Sequence, residues 1–391
     1  MKKEYDLVVV GGGPGGSMAA MHAAKNGISA CILEKTRDIG YPVRCGEAMG
    51  EMAIGQFFEP KETWIAARIK RCSIIAPNGT RLKIPFNKEQ GYVLNRKIFD
   101  YDLSLMASSE GAEVYTKSYV TSIDKKENSY DIHFDYLGTP KKINAKIVVG
   151  ADGVESRVGR WAGLRTQVKM KDMESCMQYS VGNIDIDNNG MDMYVGHNYA
   201  PGGYLWVFPK GDGYANIGIG VSGKYSKEKS AKKFLDEFIE KNYPTATIHT
   251  TMCGGVPCAK PMTRPISDNL MLVGDAAHFV NPLTGGGIAG AMKSGMFAGQ
   301  VASEAIKINN TTEKFLEKYI TLCKKDFVKR HNKIYRVKET IQKFTDEEMN
   351  HIADKVIKIP EDKITLGKVF ATAVFKKPSM IIDVMRMFAG F

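Results

Sequence analysis

Residues 7–16 read Leu-Val-Val-Val-Gly-Gly-Gly-Pro-Gly-Gly, and this stretch indicates how the N-terminal part of the chain folds. The apolar, β-branched run Leu7–Val10 predicts a short buried strand. The glycines that follow fit a G-x-G-x-x-G turn, and Ser17–Lys25 has a helical pattern. A strand, a glycine-rich turn and a helix form the first half of a dinucleotide-binding βαβ unit, which the sequence therefore predicts here.

The glycines of the turn have different tasks in such a unit. Gly11 permits the tight turn, Gly13 lets the backbone approach a pyrophosphate, and Gly16 lets the helix pack closely on the strand. The phosphates then lie at the helix N-terminus, where free N–H groups and the helix dipole favour negative charge. We therefore predict that Gly13, Gly15 and Gly16 bind the cofactor.

An acidic residue follows the next predicted strand. The strand Ile28–Leu33 ends at Glu34, and a carboxylate at that position can accept hydrogen bonds from both hydroxyls of an adenosine ribose. A Glu rather than a basic residue favours an unphosphorylated ribose, as in NAD or FAD. The alternative, a plain glycine-rich turn, does not account for both flanking strands and the terminal acid.

Composition sets limits on the class of protein. The chain has 391 residues, enough for two domains, and a formal net charge of +11. We expect no signal peptide, because the N-terminus leads directly into a strand, and no membrane span, because no apolar stretch is long enough. The seven cysteines are scattered, which favours a reducing cytosol and no metal site. No nucleic-acid-binding module accompanies the positive charge, so nucleic acid is not an expected partner.

The order of elements predicts a discontinuous α/β fold. A Rossmann-like cofactor domain would be interrupted by a mainly antiparallel β-sheet substrate domain and followed by C-terminal helices. Local patterns predict a helix start near Ala48, a hairpin at Pro77–Gly79 and a helix over 226–241. The predicted cofactor domain comprises 1–67, 95–172 and 268–310, the substrate domain 68–94 and 173–267, and the helical region 311–391.

Two further glycine sites identify the cofactor. Gly274-Asp275 ends a predicted strand, and Gly285–Gly287 opens a long helix. The Asp can bind a sugar-alcohol hydroxyl, and the helix start offers N–H groups to the N1–C2=O edge of a reduced flavin. Together with Gly150–Gly153, these sites resemble the FAD-dependent family typified by para-hydroxybenzoate hydroxylase. The resemblance covers the whole cofactor domain and implies FAD.

The resemblance also assigns cofactor-binding residues one by one. It implies that the adenosine lies near Glu34, the pyrophosphate near Gly13–Gly16 and the ribityl chain near Asp275. In this family, an Arg at the start of the helix that follows the first segment of the substrate domain contacts the cofactor, and Arg96 matches this Arg. The alternative is that Arg96 is a surface charge at a helix start. The remaining cofactor-binding residues implied are Val120, near the adenine, and Gly287 and Ile288, at the start of the long helix.

An aromatic string narrows the family. Residues 201–209 read Pro-Gly-Gly-Tyr-Leu-Trp-Val-Phe-Pro, so Tyr204, Trp206 and Phe208 share one face of a strand. The pattern alone favours aromatics that fill a core. The string nevertheless resembles the signature of the geranylgeranyl reductase branch of these flavoproteins.

The loop Tyr41–Glu47 resembles that branch's cysteine-bearing loop near the flavin. It implies that Arg44, Cys45, Gly46 and Ala48 lie at the cofactor; Arg44 would pair with the pyrophosphate or with a substrate headgroup.

The resemblance implies reduction of isolated C=C bonds in geranylgeranyl chains of archaeal-type ether lipids. Reduced FAD supplies hydride, and aromatic faces stabilise developing positive charge. We name Cys45, Tyr204 and Trp206 as catalytic candidates. Cys45 either positions the flavin, delivers a proton directly or through water, or is a structural cysteine. The proton donor stays unassigned, and His278 is interpreted as a packing residue.

The sequence also suggests partners, a location and alternative functions. No second nucleotide site is visible, so the electron donor is ferredoxin or transiently bound NAD(P)H. The segment Met380–Phe391 mixes apolar and charged residues, which favours either reversible contact with a membrane surface or helices packed on the cofactor domain. We expect a cytoplasmic protein, peripheral at the inner face of the cell membrane. The rival functions are an FAD-dependent aromatic hydroxylase, a flavin halogenase and a non-catalytic prenyl-lipid escort.

Overall fold

A computed structural model describes residues 1–86, 90–365, 368–369 and 372. The chain forms two compact units, each assembled from three segments. The first unit comprises residues 1–43, 96–168 and 259–332, and the second comprises 44–95, 169–258 and the described part of 333–391.

The strands of the described residues are β1 (Glu4–Val10), β2 (Ala30–Leu33), β3 (Ala48–Gly50), β4 (Ile65–Ile69), β5 (Arg71–Ile75), β6 (Arg81–Pro85), β7 (Gly91–Leu94), β8 (Glu113–Tyr115), β9 (Ser118–Lys125), β10 (Tyr130–Tyr136), β11 (Thr139–Gly150), β12 (Met173–Gly182), β13 (Gly190–Val195), β14 (Tyr204–Pro209), β15 (Ala215–Ser222), β16 (Thr247–Pro257), β17 (Ile266–Ser267) and β18 (Leu270–Leu272). The helices are α1 (Pro14–Lys25), α2 (Glu51–Gly55), α3 (Arg96–Ser109), α4 (Arg157–Trp161), α5 (Ala231–Asn242), α6 (Ile288–Lys307), α7 (Glu313–Cys323), α8 (Lys329–Ile341) and α9 (Asp346–Val356).

The first unit is built on an eight-stranded sheet. Its main order is β17-β18-β11-β1-β2-β8, with β1 parallel to both β2 and β11. The hairpin β9–β10 is added to β11 through antiparallel pairing. Leu7, Val8 and Val9 are fully buried, as expected for a parallel strand that is covered on both faces. This arrangement confirms the predicted Rossmann-like part of the fold.

The second unit contains a seven-stranded sheet and a three-stranded sheet. The large sheet has the order β16-β12-β15-β14-β13-β5-β6, and all of its pairs are antiparallel except β13 with β5. The small sheet has the order β3-β7-β4. One face of the large sheet packs its aliphatic side chains on α5. The inserted, mainly antiparallel sheet is therefore confirmed.

Three local predictions can be compared with the observed elements. The hairpin at Pro77–Gly79 is confirmed, because β5 and β6 pair antiparallel on either side of it. The helix start near Ala48 is wrong: Ala48 lies in β3 and pairs with Val93, and α2 begins only at Glu51, after the extended Gly50. The helix predicted from 226 begins at Ala231, because the Ser230 hydroxyl caps it by accepting a hydrogen bond from the Lys233 N–H.

Two predictions concern contact with a membrane. Among the helices of the described residues, none combines the length and the apolar character needed to cross a membrane. The segment Met380–Phe391, which we considered for contact with a membrane surface, lies outside the described residues.

Candidate active site

The glycine turn of the first unit holds the acidic residue that follows β2. The N–H of Gly12 donates a hydrogen bond to Oε2 of Glu34 over 2.8 Å. The N–H and hydroxyl of Thr36 donate to Oε1 of the same carboxylate over 2.8 and 2.7 Å. A carboxylate oxygen can accept more than one hydrogen bond, so the carboxylate of Glu34 can still accept hydrogen bonds from ribose hydroxyls.

The start of α1 offers space and donors for an anion. Gly13 is the N-cap residue, no side chain caps the helix, and its first turn holds no acidic residue. A Cβ built on Gly13 meets no heavy atom within 4 Å, whereas a Cβ on Gly16 would overlap the carbonyl oxygen of Gly11. Gly13 therefore faces open space, and Gly16 is needed for the packing of the turn itself. Free helix N–H groups beside open space fit a pyrophosphate.

Two buried carboxyl groups of the first unit fit a polar ligand. Asp152 accepts a hydrogen bond from the Val158 N–H through Oδ2, but its buried Oδ1 has no partner among the described residues. Burial raises the pKa of Asp152, and burial also raises the pKa of Asp275, against the opposing effect of the Arg96 charge. Such carboxyls can accept hydrogen bonds from the hydroxyls of a cofactor, or donate to it when they are protonated.

The long helix α6 begins beside Asp275. Its N-cap is Gly287, no side chain caps it, and Ile288 at its first position is buried. A Cβ on Gly287 would lie 3.0 Å from Oδ1 of Asp275. The uncapped N–H groups of a 20-residue helix and this carboxyl thus lie together, which fits the polar edge and the ribityl chain of a flavin.

The structure gives Arg96 a partner within its own helix. The guanidinium forms a two-pronged ion pair with Asp100, with hydrogen bonds of 3.1 and 2.6 Å. Asp100 is buried, so the pair fixes the guanidinium at the start of α3, within electrostatic reach of Asp275. Val120 is buried in β9 of the same unit. The residues of the first unit therefore fit FAD.

The other candidate residues belong to the second unit, where they surround an aromatic face. Tyr204 and Trp206 have ring centroids 5.8 Å apart, and Trp206 and Phe208 lie 6.2 Å apart. The three side chains share one face of β14, as predicted. Trp206 is 9% exposed, and burial raises the pKa of Tyr204 well above its ordinary value, so Tyr204 keeps its phenol proton at neutral pH.

On this face of the sheet, residues of three neighbouring strands are aligned in two rows. One row consists of Trp206, Gly218 and Gln178 on β14, β15 and β12; the parallel row consists of Tyr204, Gly220 and Cys176. The Trp206 ring covers Gly218, because a Cβ there would overlap the indole. A Cβ on Gly220 would meet only ordinary contacts, the nearest being the Cys176 Sγ at 3.4 Å. We call this position in the row between Tyr204 and Cys176, where Gly220 contributes no side chain, the Gly220 gap.

The cysteine loop lies against the aromatic face. A Cβ on Gly46 would lie 3.0 Å from the Phe208 ring and 3.2 Å from the Trp206 indole nitrogen. Gln178 joins the two parts: its Oε1 accepts from the indole N–H over 3.1 Å, and its Nε2 donates to the Cys45 carbonyl over 3.0 Å. The Sγ of Cys45 accepts a hydrogen bond from the Glu47 N–H over 3.1 Å.

A buried ion pair anchors the same loop. Glu47 is 5% exposed and has a left-handed φ of 71°. Its Oε2 accepts hydrogen bonds from the Lys210 ammonium over 2.8 Å and from the Asn216 amide over 2.6 Å. Lys210 also donates to the Leu94 carbonyl. Four of these residues are not among the predicted site residues: Gln178, Glu47, Lys210 and Asn216. Glu47 could have been found, because it directly follows Cys45 and Gly46.

The remaining candidates are distributed as follows. Arg44 is exposed, with its Cδ beside β16 at Gly254, and Ala48 pairs within the small sheet. His278 is buried and its Nε2 lies 3.1 Å from the Thr166 carbonyl, which supports a packing role. No group of three or more His, Cys, Asp or Glu residues within the described ranges is arranged to hold a metal ion.

Comparisons with known proteins identify the family. Residues 172–256 match the family described as the geranylgeranyl reductase catalytic domain, and residues 5–187 match pyridine nucleotide-disulphide oxidoreductase. A relative in Methanococcoides burtonii named digeranylgeranylglycerophospholipid reductase 1 is 43% identical, covering 96% of this chain and 93% of that protein. The enzyme of that name from Methanocella arvoryzae is 40% identical, covering 98% and 99%. This chain belongs to the digeranylgeranylglycerophospholipid reductase family.

Solved structures agree with this assignment. A protein from Thermoplasma acidophilum described as geranylgeranyl bacteriochlorophyll reductase-like has a TM-score of 0.92 at 35% identity, covering 99% of this chain and all of that one. A flavin-dependent brominase has a TM-score of 0.70 at 16% identity, covering 97% of this chain and 99% of that chain, and it shares the fold alone. As a member of its family, the chain is an FAD-dependent oxidoreductase, which confirms the predicted cofactor.

Proposed function

We propose that this protein reduces isolated C=C bonds in the geranylgeranyl chains of archaeal-type ether phospholipids. The observation that carries the proposal is the aromatic face with its Gly220 gap, which lies within the segment that matches the geranylgeranyl reductase catalytic domain. A face of large rings, with a glycine instead of a side chain beside Tyr204, suits a flat, apolar alkene. The names of the full-length relatives indicate the class of lipid.

The aromatic rings serve the chemistry as well as binding. Reduction of an unactivated trisubstituted alkene develops positive charge at the more substituted carbon. A cation within about 6 Å of an aromatic face is stabilised by ~0.5–2 kcal/mol, and more so without water. Tyr204 and Trp206 present such faces beside the gap. Their proposed role is therefore to stabilise that charge and to exclude water.

The first unit is proposed to hold the redox group. When it is bound and reduced, FAD supplies a hydride. Glu34 is proposed to bind the ribose, the α1 start at Gly13, Gly15 and Gly16 the pyrophosphate, and Asp275 the ribityl chain. The proposed cofactor contacts also include Arg96, Val120, Gly287 and Ile288, with Arg44, Cys45, Gly46 and Ala48 from the cysteine loop.

Cys45 is proposed to act beside the aromatic face. Its carbonyl is fixed by Gln178 and its Sγ accepts the Glu47 N–H, so the loop is rigid on both sides of the thiol. This geometry supports a positioning role for the cysteine loop beside the aromatic face.

The electron donor and the membrane contact are part of the proposal. Ferredoxin or transiently bound NAD(P)H would reduce the flavin. The lipid substrate must be taken from a membrane, and the net charge of +11 favours an anionic lipid surface. We therefore propose a cytoplasmic protein that binds reversibly to the inner face of the cell membrane.

Mass spectrometry of a single anaerobic incubation tests the proposed function. The FAD-loaded protein is reduced with dithionite and mixed with a geranylgeranylated ether phospholipid. Mass gains of two hydrogens per bond are expected. A product that gains oxygen when air is admitted would instead indicate the hydroxylase, and a colourless protein that binds the lipid unchanged would indicate the escort.

A further inference from the structure

A buried cluster of charged groups lies next to the aromatic face and has no role in the proposed function described above. Lys338 on α8 is 3% exposed, and its ammonium donates to the Cys258 carbonyl over 2.7 Å. Its Nζ also lies 3.5 Å from Asp172 and 3.9 Å from Oε1 of Glu174. The Tyr335 hydroxyl lies 2.9 and 3.0 Å from the two Asp172 oxygens.

The two carboxyl groups of the cluster differ. Both oxygens of Asp172 are engaged, as expected for a structural ion pair. Glu174 is 7% exposed, and its Oε2 is buried without a hydrogen-bond partner among the described residues. A buried carboxylate oxygen without a donor destabilises the ionised form of the group. A protonated carboxyl, which is neutral and can donate to an incoming group, removes much of that cost.

Glu174 reaches the Gly220 gap. It lies two residues before Cys176 on β12, and so on the same face of the strand. Its Cβ is 3.7 Å from the position that a Cβ of Gly220 would occupy, and Oε2 is 3.1 Å from the equivalent position on Gly203, directly before Tyr204. The unpartnered oxygen therefore lies beside the rim of the gap.

The groups around Glu174 leave it as the one that titrates near neutral pH. Burial raises the pKa of Glu174 to about 7, helped by the Asp172 charge and opposed by Lys338. Burial raises the pKa of Cys176 to about 12 and that of Tyr204 still further. The pKa of Tyr335, on α8, is raised to about 12. Glu174 thus carries an exchangeable proton near neutral pH, whereas Cys176, Tyr204 and Tyr335 keep theirs.

We propose that the Glu174 carboxyl is the acid that protonates the alkene during reduction. The O–H bond breaks and its proton forms a C–H bond with the less substituted carbon, using the π electrons of the C=C bond. The reduced FAD held by the first unit would supply the hydride, and with it the two electrons, for the C–H bond at the other carbon. The O–H electron pair stays on the carboxylate, which Lys338 stabilises until water reprotonates it.

The inference rests on the proposed function, and the test separates the two. The first measurement needs no substrate: infrared difference spectra of the FAD-loaded protein are recorded between pH 5 and 9. A protonated-carboxyl band that disappears near pH 7 is expected in the wild type and should be absent in Glu174→Gln. A Glu174→Gln spectrum that retains the band would overturn the assignment of the proton to Glu174.

The second measurement is the pH profile of single-turnover lipid reduction by the pre-reduced protein. In the wild type the rate should fall above pH 7, and Glu174→Gln should lower it at least 100-fold at pH 6 while FAD content and affinity for a saturated lipid analogue are retained. The control is Glu339→Gln, which removes an exposed carboxyl on α8 paired with Lys171 and should leave rate and profile unchanged.

The outcomes are distinguishable. If the wild type reduces the lipid and Glu174→Gln does so at a similar rate with the same profile, the inference is overturned and the proposed function stands. If the wild type leaves the lipid unreduced, the proposed function fails, and the mechanistic role of Glu174 fails with it, whatever the infrared result.

Discussion

The indole N–H of Trp206 donates a hydrogen bond to Oε1 of Gln178 over 3.1 Å. The same amide donates to the Cys45 carbonyl, so one side chain fixes both an aromatic ring of the face and the loop that carries the candidate thiol. Each bond involves a buried or half-buried group. The relationship connects two motifs that are 161 residues apart in the printed sequence.

Removal of the Gln178 amide should disturb both Trp206 and the cysteine loop. Gln178→Leu keeps a similar volume but leaves the indole N–H and the Cys45 carbonyl without their partner. The expected destabilisation is about 1–3 kcal/mol, measured by urea unfolding, with a loss of activity larger than the loss of FAD. Trp206→Phe is the matched variant: combined with Gln178→Leu it should cost less than the sum of the two single changes. Full additivity would contradict the coupling.

Two glycines of the dinucleotide turn should respond differently to the same substitution. Gly13→Ala places a methyl group in space that is empty of protein atoms, so the protein should fold normally but bind FAD at least about tenfold more weakly, because the methyl group occupies the pyrophosphate position. Gly16→Ala would overlap the Gly11 carbonyl and should reduce folded yield. Flavin content and thermal unfolding measure both effects. Normal FAD affinity in Gly13→Ala would rule out this pyrophosphate position.

Substitutions of Gly220 by residues of increasing size test whether the alkene binds at the Gly220 gap. A Cβ at Gly220 has only ordinary contacts, so Gly220→Ala should fold with small loss of lipid reduction, whereas Gly220→Leu should block the gap and reduce kcat/KM by at least about 100-fold, roughly 2.7 kcal/mol. FAD content is the control, since Gly220 is not among the proposed cofactor contacts. Equal activity in the Ala and Leu variants would show that the alkene binds elsewhere.

The raised pKa of Glu174 predicts a pH-dependent stability. Its pKa is about 7 in the folded protein against an ordinary value of 4.5, so the folded state holds one more proton than the unfolded state between these values. The free energy of unfolding should therefore fall as the pH rises from about 4.5 to 7, by up to about 3 kcal/mol.

Denaturant unfolding of the wild type and Glu174→Gln at pH 5 and pH 8 measures this contribution. The Gln variant lacks the titration, so its stability relative to the wild type should increase between the two pH values. A constant difference would mean that the carboxyl is already ionised at pH 5.

Local sequence predicts the parts of the site that depend on a strand and its adjacent turn. The Gly13 turn, Glu34 and Asp275 each follow directly from a strand end, and the alternation of Tyr204 and Trp206 assigns them to one face. The neighbours across the sheet could not be predicted in this way. Gln178 lies opposite Trp206 only because β12 and β14 both pair with β15, and Lys338 meets Glu174 from a helix that is remote in sequence.

The failed helix start near Ala48 has a similar cause. The residues around Ala48 have helical propensity, but Ala48 pairs with Val93 on β7, and tertiary pairing overrides local preference. The left-handed conformation of Glu47, stabilised by Lys210 and Asn216, likewise depends on partners far along the chain.

The most direct test follows the flavin itself in a single turnover. The FAD-loaded protein is reduced anaerobically and mixed with one equivalent of a geranylgeranylated ether phospholipid, while visible absorbance reports reoxidation of the flavin and mass spectrometry reports the lipid. We expect the flavin to be reoxidised without oxygen and one C=C bond to be saturated per flavin, as the proposed function requires. A flavin that stays reduced until oxygen is admitted, with the lipid unchanged, would contradict it.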